Sequence, residues 1–158
     1  MNKKILALLS FFIVIAAMSS ASAFDFKDIS NALFNDPNDN VEVGGMNFTV
    51  PNGFKEVQNQ SVENEPLGNP FIDVNISSKA FQNGNDILII SVSSSDVSAN
   101  DDFAKDAAGD EANKTTINGI SGYEFNDTNF QNFAFAKDGK LVIMSASYKQ
   151  LFNDVTVA

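Results

Sequence analysis

Residues 72–92 carry the clearest strand pattern of this chain and read IDVNISSKAFQNGNDILIISV. Apolar and polar side chains alternate from Ile72 to Ile76, which is the pattern of a β-strand with one buried face. Residues 82–85 then supply the Asn-Gly chemistry of a tight turn. The second half, residues 86–92, is almost continuously apolar, as is typical of a central strand that is covered on both faces. The segment therefore predicts an antiparallel hairpin inside a sheet.

The flanking sequence predicts further strands. Alternation over residues 46–50 indicates a half-buried strand. Residues 115–125 and 130–146 each read as strand, tight turn and strand, with an Asn-Gly turn in the first pair and an Asp-Gly turn in the second. Because neighbouring strands follow one another without a crossover between them, we expect the sheet to be mainly antiparallel.

Three segments carry the periodicity of a helix. In residues 98–109, two aspartates fall in the first turn, small apolar residues form one stripe, and Gly109 follows the last turn. Residues 24–34 indicate a short amphipathic helix, and residues 148–157 indicate a closing helix with apolar side chains at positions i, i+3, i+4 and i+7. Residues 59–70 predict a long exposed loop instead. The expected class is α+β, in which a mainly antiparallel β-sheet is layered with two to three helices.

The first residues of the chain have the layout of a secretory signal peptide. Two lysines form a basic start, a short apolar core follows, and the small residues Ala21-Ser22-Ala23 precede the expected cleavage site. The apolar core is shorter than the about 20 residues that a membrane-spanning helix needs, although an uncleaved anchor is the alternative. The expected organisation is a signal peptide over residues 1–23, an N-terminal helix and acidic linker over residues 24–42, and a single domain over residues 43–158.

Composition excludes several classes of function. The chain has no His, no Cys and no Trp, and all 10 of its basic residues are Lys. This excludes His-based triads, thiolate nucleophiles and Cys/His metal sites, and we expect no cofactor. The net charge of −10 becomes −12 when the two lysines of the signal segment are removed. Nucleic acid and anionic membranes are therefore unfavourable partners, and no stable membrane span is expected after cleavage.

The predicted strands and helices occur together with two short sequence motifs, V-P-N-G-F at residues 50–54 and I-N-G-I-S-G-Y-E at residues 117–124. Together they resemble exported domains of the PsbP/Mog1-like fold group, over residues 43–157. Members of that group mostly serve as accessory, binding or assembly factors, so the resemblance implies a binding role here. Both motifs consist of residues that are typical of tight turns. The resemblance therefore assigns no functional residue in this chain.

The acidic linker contains candidate calcium ligands. The spacing of an EF-hand loop begins there, but the Gly required at its sixth position and the Glu required at its twelfth are missing. An irregular calcium site built from Asp36, Asn38 and Asp39 is one interpretation, and a solvated loop is the other.

Five N-x-S/T sequons occur in the chain. Asn59 and Asn113 fall in predicted loops and are the candidate glycosylation sites, whereas Asn47 and Asn75 fall in predicted strands.

The sequence supports one leading function and two alternatives. The leading hypothesis is a secreted or cell-surface binding domain of a prokaryote, without catalytic activity, whose partner is an envelope or surface protein or a glycan. One alternative is a carboxylate-based hydrolase of extracellular glycans, which requires two carboxylates in one cleft. The other is a carrier of a small apolar ligand, which requires a cavity lined by some of the 15 phenylalanines.

Overall fold

The computed structural model describes residues 40–57, 60–67 and 73–158. Several predictions therefore lie outside the described residues. They are the signal peptide, the N-terminal helix, the candidate calcium ligands Asp36, Asn38 and Asp39, and the candidate glycosylation site Asn59.

The described ranges contain strands β1 to β11, one α-helix and one 3₁₀ helix. The strands are β1 (Val41–Val43), β2 (Met46–Thr49), β3 (Lys55–Glu56), β4 (Val62–Pro66), β5 (Val74–Asn83), β6 (Asp86–Ser95), β7 (Asn113–Ile117), β8 (Ile120–Asn126), β9 (Gln131–Lys137), β10 (Lys140–Ala146) and β11 (Thr156–Val157). The α-helix, α1, spans Asp101–Ala108, and the 3₁₀ helix spans Lys149–Asp154.

The predicted α+β class is wrong for the described residues, which form a β-rich fold. Strands account for 55% of them and helices for about 13%, and only α1 has 7 residues or more. The closing helix predicted over residues 148–157 is a short 3₁₀ helix followed by β11. The reason is that Thr156 and Val157 pair with Thr49 and Phe48 of β2. A helix of that length is only marginally stable in water. Pairing of two β-branched residues with an existing strand is therefore more favourable than the helix that the apolar periodicity predicts.

The predicted loop over residues 59–70 contains strand β4, which pairs antiparallel with β5. The register between these two strands is irregular between Val62 and Glu65. The β4 sequence, VENEP, has no alternating apolar face, because a strand at the edge of a sheet does not need to bury one. Sequence periodicity alone therefore missed this strand.

Two antiparallel sheets make up the fold. The large sheet has the strand order β3-β5-β6-β10-β9-β8-β7, with β4 also paired to β5, and the small sheet has the order β1-β2-β11. The predicted central hairpin is confirmed, since β5 and β6 pair continuously from Val74 opposite Ser95 to Asn83 opposite Asp86. Residues 88–93 of β6 are all buried, so this strand is covered on both faces as predicted.

The tight turns after β7 and β9 explain why those hairpins form. Asn118 and Gly119 have φ angles of 50° and 79°, and Asp138 and Gly139 have φ angles of 52° and 74°. Positive φ at both central positions is what a type I′ turn requires, and Asn-Gly and Asp-Gly are the dipeptides that adopt it most readily. Both predicted hairpins are confirmed by the strand register.

Strand alternation gives the large sheet an inner face, which packs against the small sheet, and an outer face, which carries α1. The core between the sheets joins large side chains of both, among them Val43, Phe48, Phe81, Leu88, Phe133 and Phe135. On the outer face, Ala104, Ala107 and Ala108 of α1 are buried in a second cluster of apolar residues. Helix α1 begins where the Asn100 side chain accepts a hydrogen bond from the Phe103 amide at 3.0 Å, and it ends at Gly109 as predicted.

Candidate functional site

A groove lies at the end of the large sheet, where β7 begins, β8 ends and β9 begins; we call it the end groove. Its volume is about 540 Å³, within the range of small-molecule sites. The turn between α1 and β7 and the 3₁₀ helix form its walls. Its polar lining includes Asp110, Glu111, Asn113, Glu124, Asn126, Gln131, Asn132 and Lys149.

The strand register brings four of these polar side chains together on the inner face. Asn113 lies opposite Glu124 in the pairing of β7 with β8, and Asn126 lies opposite Gln131 in the pairing of β8 with β9. Opposite residues share a face, and so do residues two apart in one strand. The four side chains therefore form one polar group, which we call the polar row, and in it Glu124 lies directly opposite Phe133 of the core.

Glu124 connects the buried inner face to the end groove. Its Oε2 accepts a hydrogen bond from Lys149 Nζ at 2.7 Å. Its side chain is 18% exposed, whereas that of Lys149 is 58% exposed. Glu124 Oε1 is buried and has no hydrogen-bond partner among the described residues. Leaving a buried acceptor unsatisfied costs about 1–3 kcal/mol, so a donor that reaches this oxygen would be bound favourably.

The 3₁₀ helix that carries Lys149 is held from the opposite end of the sheet. Asn118 Nδ2, in the β7–β8 turn, lies 3.0 Å from the carbonyl oxygen of Asn153 and 2.8 Å from that of Val155, and donates to both. These carbonyls lie at the end of the helix, where helical hydrogen bonds stop. The position of the groove wall therefore depends on a side chain in a distant turn.

A second cluster, on the outer face, joins α1 to β7 and β8. Lys114 Nζ donates to Asp101 Oδ2 at 2.9 Å, and the Tyr123 hydroxyl donates to the same oxygen at 2.8 Å. The hydrogen bond from Lys114, followed by that from Tyr123, holds the pKa of Asp101 below its ordinary value of 3.8. The hydrogen bond to Asp101 raises the pKa of Lys114 above 10.5 and that of Tyr123 above 10.0. More than half of each of the Asp101 and Lys114 side chains is exposed, so this cluster encloses no ligand site. Its hydrogen bonds stabilise the packing of α1 against β7 and β8.

The structure places one predicted site residue at the end groove. Asn113 is exposed and lines the groove, but it is the first residue of β7 and does not lie in a loop. Within the described ranges, no group of three or more His, Cys, Asp or Glu side chains is arranged to hold a metal ion. Sequence patterns did not identify Glu124, Gln131 or Lys149, because only strand register and the position of the 3₁₀ helix bring them together.

The phenylalanines lie mainly in the core. Of the nine in the described residues, six are buried: Phe48, Phe54, Phe81, Phe133, Phe135 and Phe152. Phe125 and Phe152 line the end groove, whose other lining side chains are mostly polar. This groove therefore offers little of the apolar surface that a carrier of an apolar ligand requires.

The fold and the end groove define a class: an antiparallel β-rich domain with a polar groove at one end of its larger sheet. No model of a protein family, no curated protein and no solved structure matches this chain. The resemblance to the PsbP/Mog1-like group therefore stays a prediction. Among the residues that the structure describes, no helix is long and apolar enough to span a membrane.

Proposed function

We propose that this protein is a non-catalytic binding domain, exported to the cell surface or envelope, that binds a hydroxyl-rich ligand such as a glycan in the end groove. The observation that carries the proposal is the polar row on the inner face, in which Glu124 has a buried carboxylate oxygen without a hydrogen-bond partner among the described residues. The carboxylate accepts hydrogen bonds, and the carboxamides beside it both donate and accept them. A hydroxyl group does both as well, so a sugar matches this row.

The ion pair of Glu124 favours a binding role. Lys149 donates to Oε2 and holds the carboxylate in one orientation at the wall of the end groove. A carboxylate that is held in one orientation is suited to recognition, since its position is determined before the ligand arrives. Export is supported by the sequence of residues 1–23, which lie outside the described residues.

The proposal is tested by titrating the ¹⁵N-labelled full chain with neutral disaccharides (chitobiose, cellobiose and mannobiose) and recording amide NMR spectra. We expect shifts for at least one sugar, concentrated at residues 109–113, 124–126 and 131–132. Gln131→Ala should weaken binding by about twofold to tenfold, the contribution of one hydrogen bond. Asn85→Ala, an exposed position in the β5–β6 turn, is the matched control and should leave affinity unchanged. Absence of shifts with every sugar, or shifts confined to the small sheet, would contradict the proposal.

A carboxylate-based hydrolase of extracellular glycans is the second candidate, because Asp110 and Glu111 line the same groove as Glu124. Such an enzyme would use one carboxyl group as acid and another as base or nucleophile. Release of new reducing ends from the same disaccharides, abolished by Glu124→Gln, would replace the binding proposal with this one. Disaccharides that bind and stay intact support the binding proposal.

A further inference from the structure

We propose that this protein self-associates through strand β7, which pairs antiparallel with β7 of a second copy of the chain. Among the described strands, β7 lies at one end of the large sheet and pairs with β8 alone. An edge strand carries main-chain N–H and C=O groups that have no partner in its own sheet, and these groups are a template for another strand. The inference does not depend on the ligand proposed for the end groove.

The other sheet edges in the described part of the chain are protected against such pairing. Strand β4 carries two glutamates, a proline and an irregular register. Strand β1 has three residues and contains Glu42, and β3 and β11 have two residues each. Short strands, charges and irregular pairing are the features by which proteins prevent contact between sheet edges. By contrast, β7 has five residues in unbroken register with β8 and contains no proline and no acidic residue.

The charged residue of β7, Lys114, does not oppose a second strand. Its Nζ donates to Asp101 Oδ2 at 2.9 Å and lies 5.4 Å from the centre of the Tyr123 ring. Both contacts are on the outer face of the sheet, so the ammonium group lies out of the plane in which strands pair. The chain as a whole has a net charge of −10, so two copies repel each other over most of their surfaces. An edge without acidic residues is where this repulsion is weakest.

The β7–β8 turn determines which main-chain groups of β7 point away from β8. Ile117 and Ile120 are paired across a two-residue turn, and such a pair exchanges main-chain hydrogen bonds. Because bonded and outward groups alternate along an edge strand, the N–H and C=O groups of Lys114 and Thr116 point outward. A two-fold axis at Thr115 sets Lys114 opposite Thr116 of the second copy. In this register the two β7 strands exchange four hydrogen bonds.

The side chains of β7 fit the same register. It places Thr115 opposite Thr115 of the second copy, and threonines that face each other across strands interact favourably. Lys114 lies opposite a neutral threonine and Asn113 opposite Ile117, so no like charges meet. A contact between identical strands about a two-fold axis closes into a dimer. Two strands of five residues bury less than the about 1,200 Å² of a standard stable interface, so we expect a weak, reversible dimer.

The chain has no cysteine, so a single introduced thiol reports on this register. Thr115→Cys sets two thiols across a pair without hydrogen bonds, whose Cα atoms lie about 4.5 Å apart, a separation that a disulfide spans. In a glutathione redox buffer, this variant of the full chain should form a disulfide-linked dimer, measured by non-reducing electrophoresis. Thr116→Cys, at the exposed neighbouring residue, is the matched control. Its two thiols are not opposite each other in this register, and we expect about tenfold slower crosslinking.

Two charge variants test the contact without a crosslink. Thr116→Glu sets a carboxylate opposite Lys114 of the second copy, at two symmetric positions, and should strengthen dimerisation by about twofold to tenfold. Thr116→Lys sets two ammonium groups opposite each other and should weaken it by a similar factor. Sedimentation velocity of the full chain over a range of concentrations measures both effects. Glu63→Gln, on the β4 edge, changes the net charge by the same amount as Thr116→Lys and should leave dimerisation unchanged.

Fast crosslinking of Thr115→Cys, together with opposite effects of the two charge variants, supports the inference. Equal crosslinking rates for Thr115→Cys and Thr116→Cys would overturn it, and so would faster crosslinking of Thr116→Cys, which would indicate another register. Self-association of equal strength in the unmodified protein and both charge variants would place the contact elsewhere on the molecule. A chain that stays monomeric with either charge at position 116, and whose Thr115→Cys variant does not crosslink, would also contradict the proposal.

Discussion

The side-chain amide of Asn118 donates a hydrogen bond to the main-chain carbonyl of Val155 at 2.8 Å, which ties the β7–β8 turn to the end of the 3₁₀ helix. The same nitrogen lies 3.3 Å from the carbonyl oxygen of Phe152. Lys149, at the other end of that helix, contacts Glu124 in the end groove. One turn residue thus positions both the C-terminal segment and a wall of the candidate site.

Replacing Asn118 by glycine should destabilise the protein by about 1–2 kcal/mol. Glycine tolerates the φ angle of 50° at this position, so the loss reports on the hydrogen bonds and not on backbone strain. Asn118→Asp should cost more, because it turns a carboxylate toward carbonyl oxygens. The free energy of unfolding in urea measures both effects. Asn85→Ala in the β5–β6 turn is the control, and an Asn118→Gly variant as stable as the unmodified protein would contradict the role of the amide.

Replacing Gly122 by alanine should destabilise the protein by about 1–3 kcal/mol or more. A Cβ atom at this position would lie 2.5 Å from the carbonyl oxygen of Ala134 and 2.7 Å from the ring of Phe133. The strand backbone cannot yield without disturbing the pairing of β8 with β9, and the ring is enclosed in the core. Ser121→Ala, on the exposed neighbouring residue, should change stability by less than about 0.5 kcal/mol. Equal urea midpoints for the two variants would show that the close approach of Gly122 to Ala134 and Phe133 does not make a Cβ atom at this position destabilising.

Acid should remove the stabilising effect of Asp101. The pKa of this carboxyl is lower in the folded than in the unfolded state, so the folded state binds fewer protons. Its contribution is complete above about pH 4 and is lost as the pH falls through the folded pKa. The difference in urea midpoint between the unmodified protein and Asp101→Asn should therefore shrink as the pH falls from 6 toward 2.5. Asp102→Asn removes a charge from the same helical turn and is the control. A difference that stays constant over this range would contradict the assignment.

The buried hydroxyls of Ser78 and Ser91 should be energetically coupled. Their Oγ atoms lie 2.9 Å apart on adjacent strands of the large sheet. Either single change to alanine leaves the other hydroxyl without this partner and should cost about 1–3 kcal/mol. The double variant removes both polar groups and should cost less than the sum of the two. A double-mutant cycle in urea measures the coupling, and strictly additive losses would show that the two hydroxyls do not depend on each other.

The hairpins could be predicted from the sequence because their information is local. Asn118-Gly119 and Asp138-Gly139 are dipeptides that readily adopt positive φ, and the residues that flank them alternate. The central position of β6 was predictable for the same reason, since a continuous apolar run requires cover on both faces. These features depend on contacts between residues that are near in sequence.

The errors occurred where distant contacts outweigh local preference. Residues 148–157 have helical periodicity, but β2 offers a strand with which Thr156 and Val157 pair. The polar segment of β4 has no periodic signal and becomes a strand because the edge of β5 is available. In both segments the partner strand lies elsewhere in the sequence. The periodicity of the segment therefore gives no information about this pairing.

The tight turns and the antiparallel hairpins follow from the amino-acid sequence alone. So does the exclusion of His-based and thiolate catalysis, because the chain has no His and no Cys. The number of helices, the form of the C-terminal segment and the end groove depend instead on contacts between distant parts of the fold. Glu124 and Lys149 are an example, since they lie 25 residues apart in the sequence and their side chains are hydrogen-bonded at 2.7 Å. Strand register and the docking of the 3₁₀ helix bring them together, and both arise from burial of apolar surface among residues that are distant in sequence.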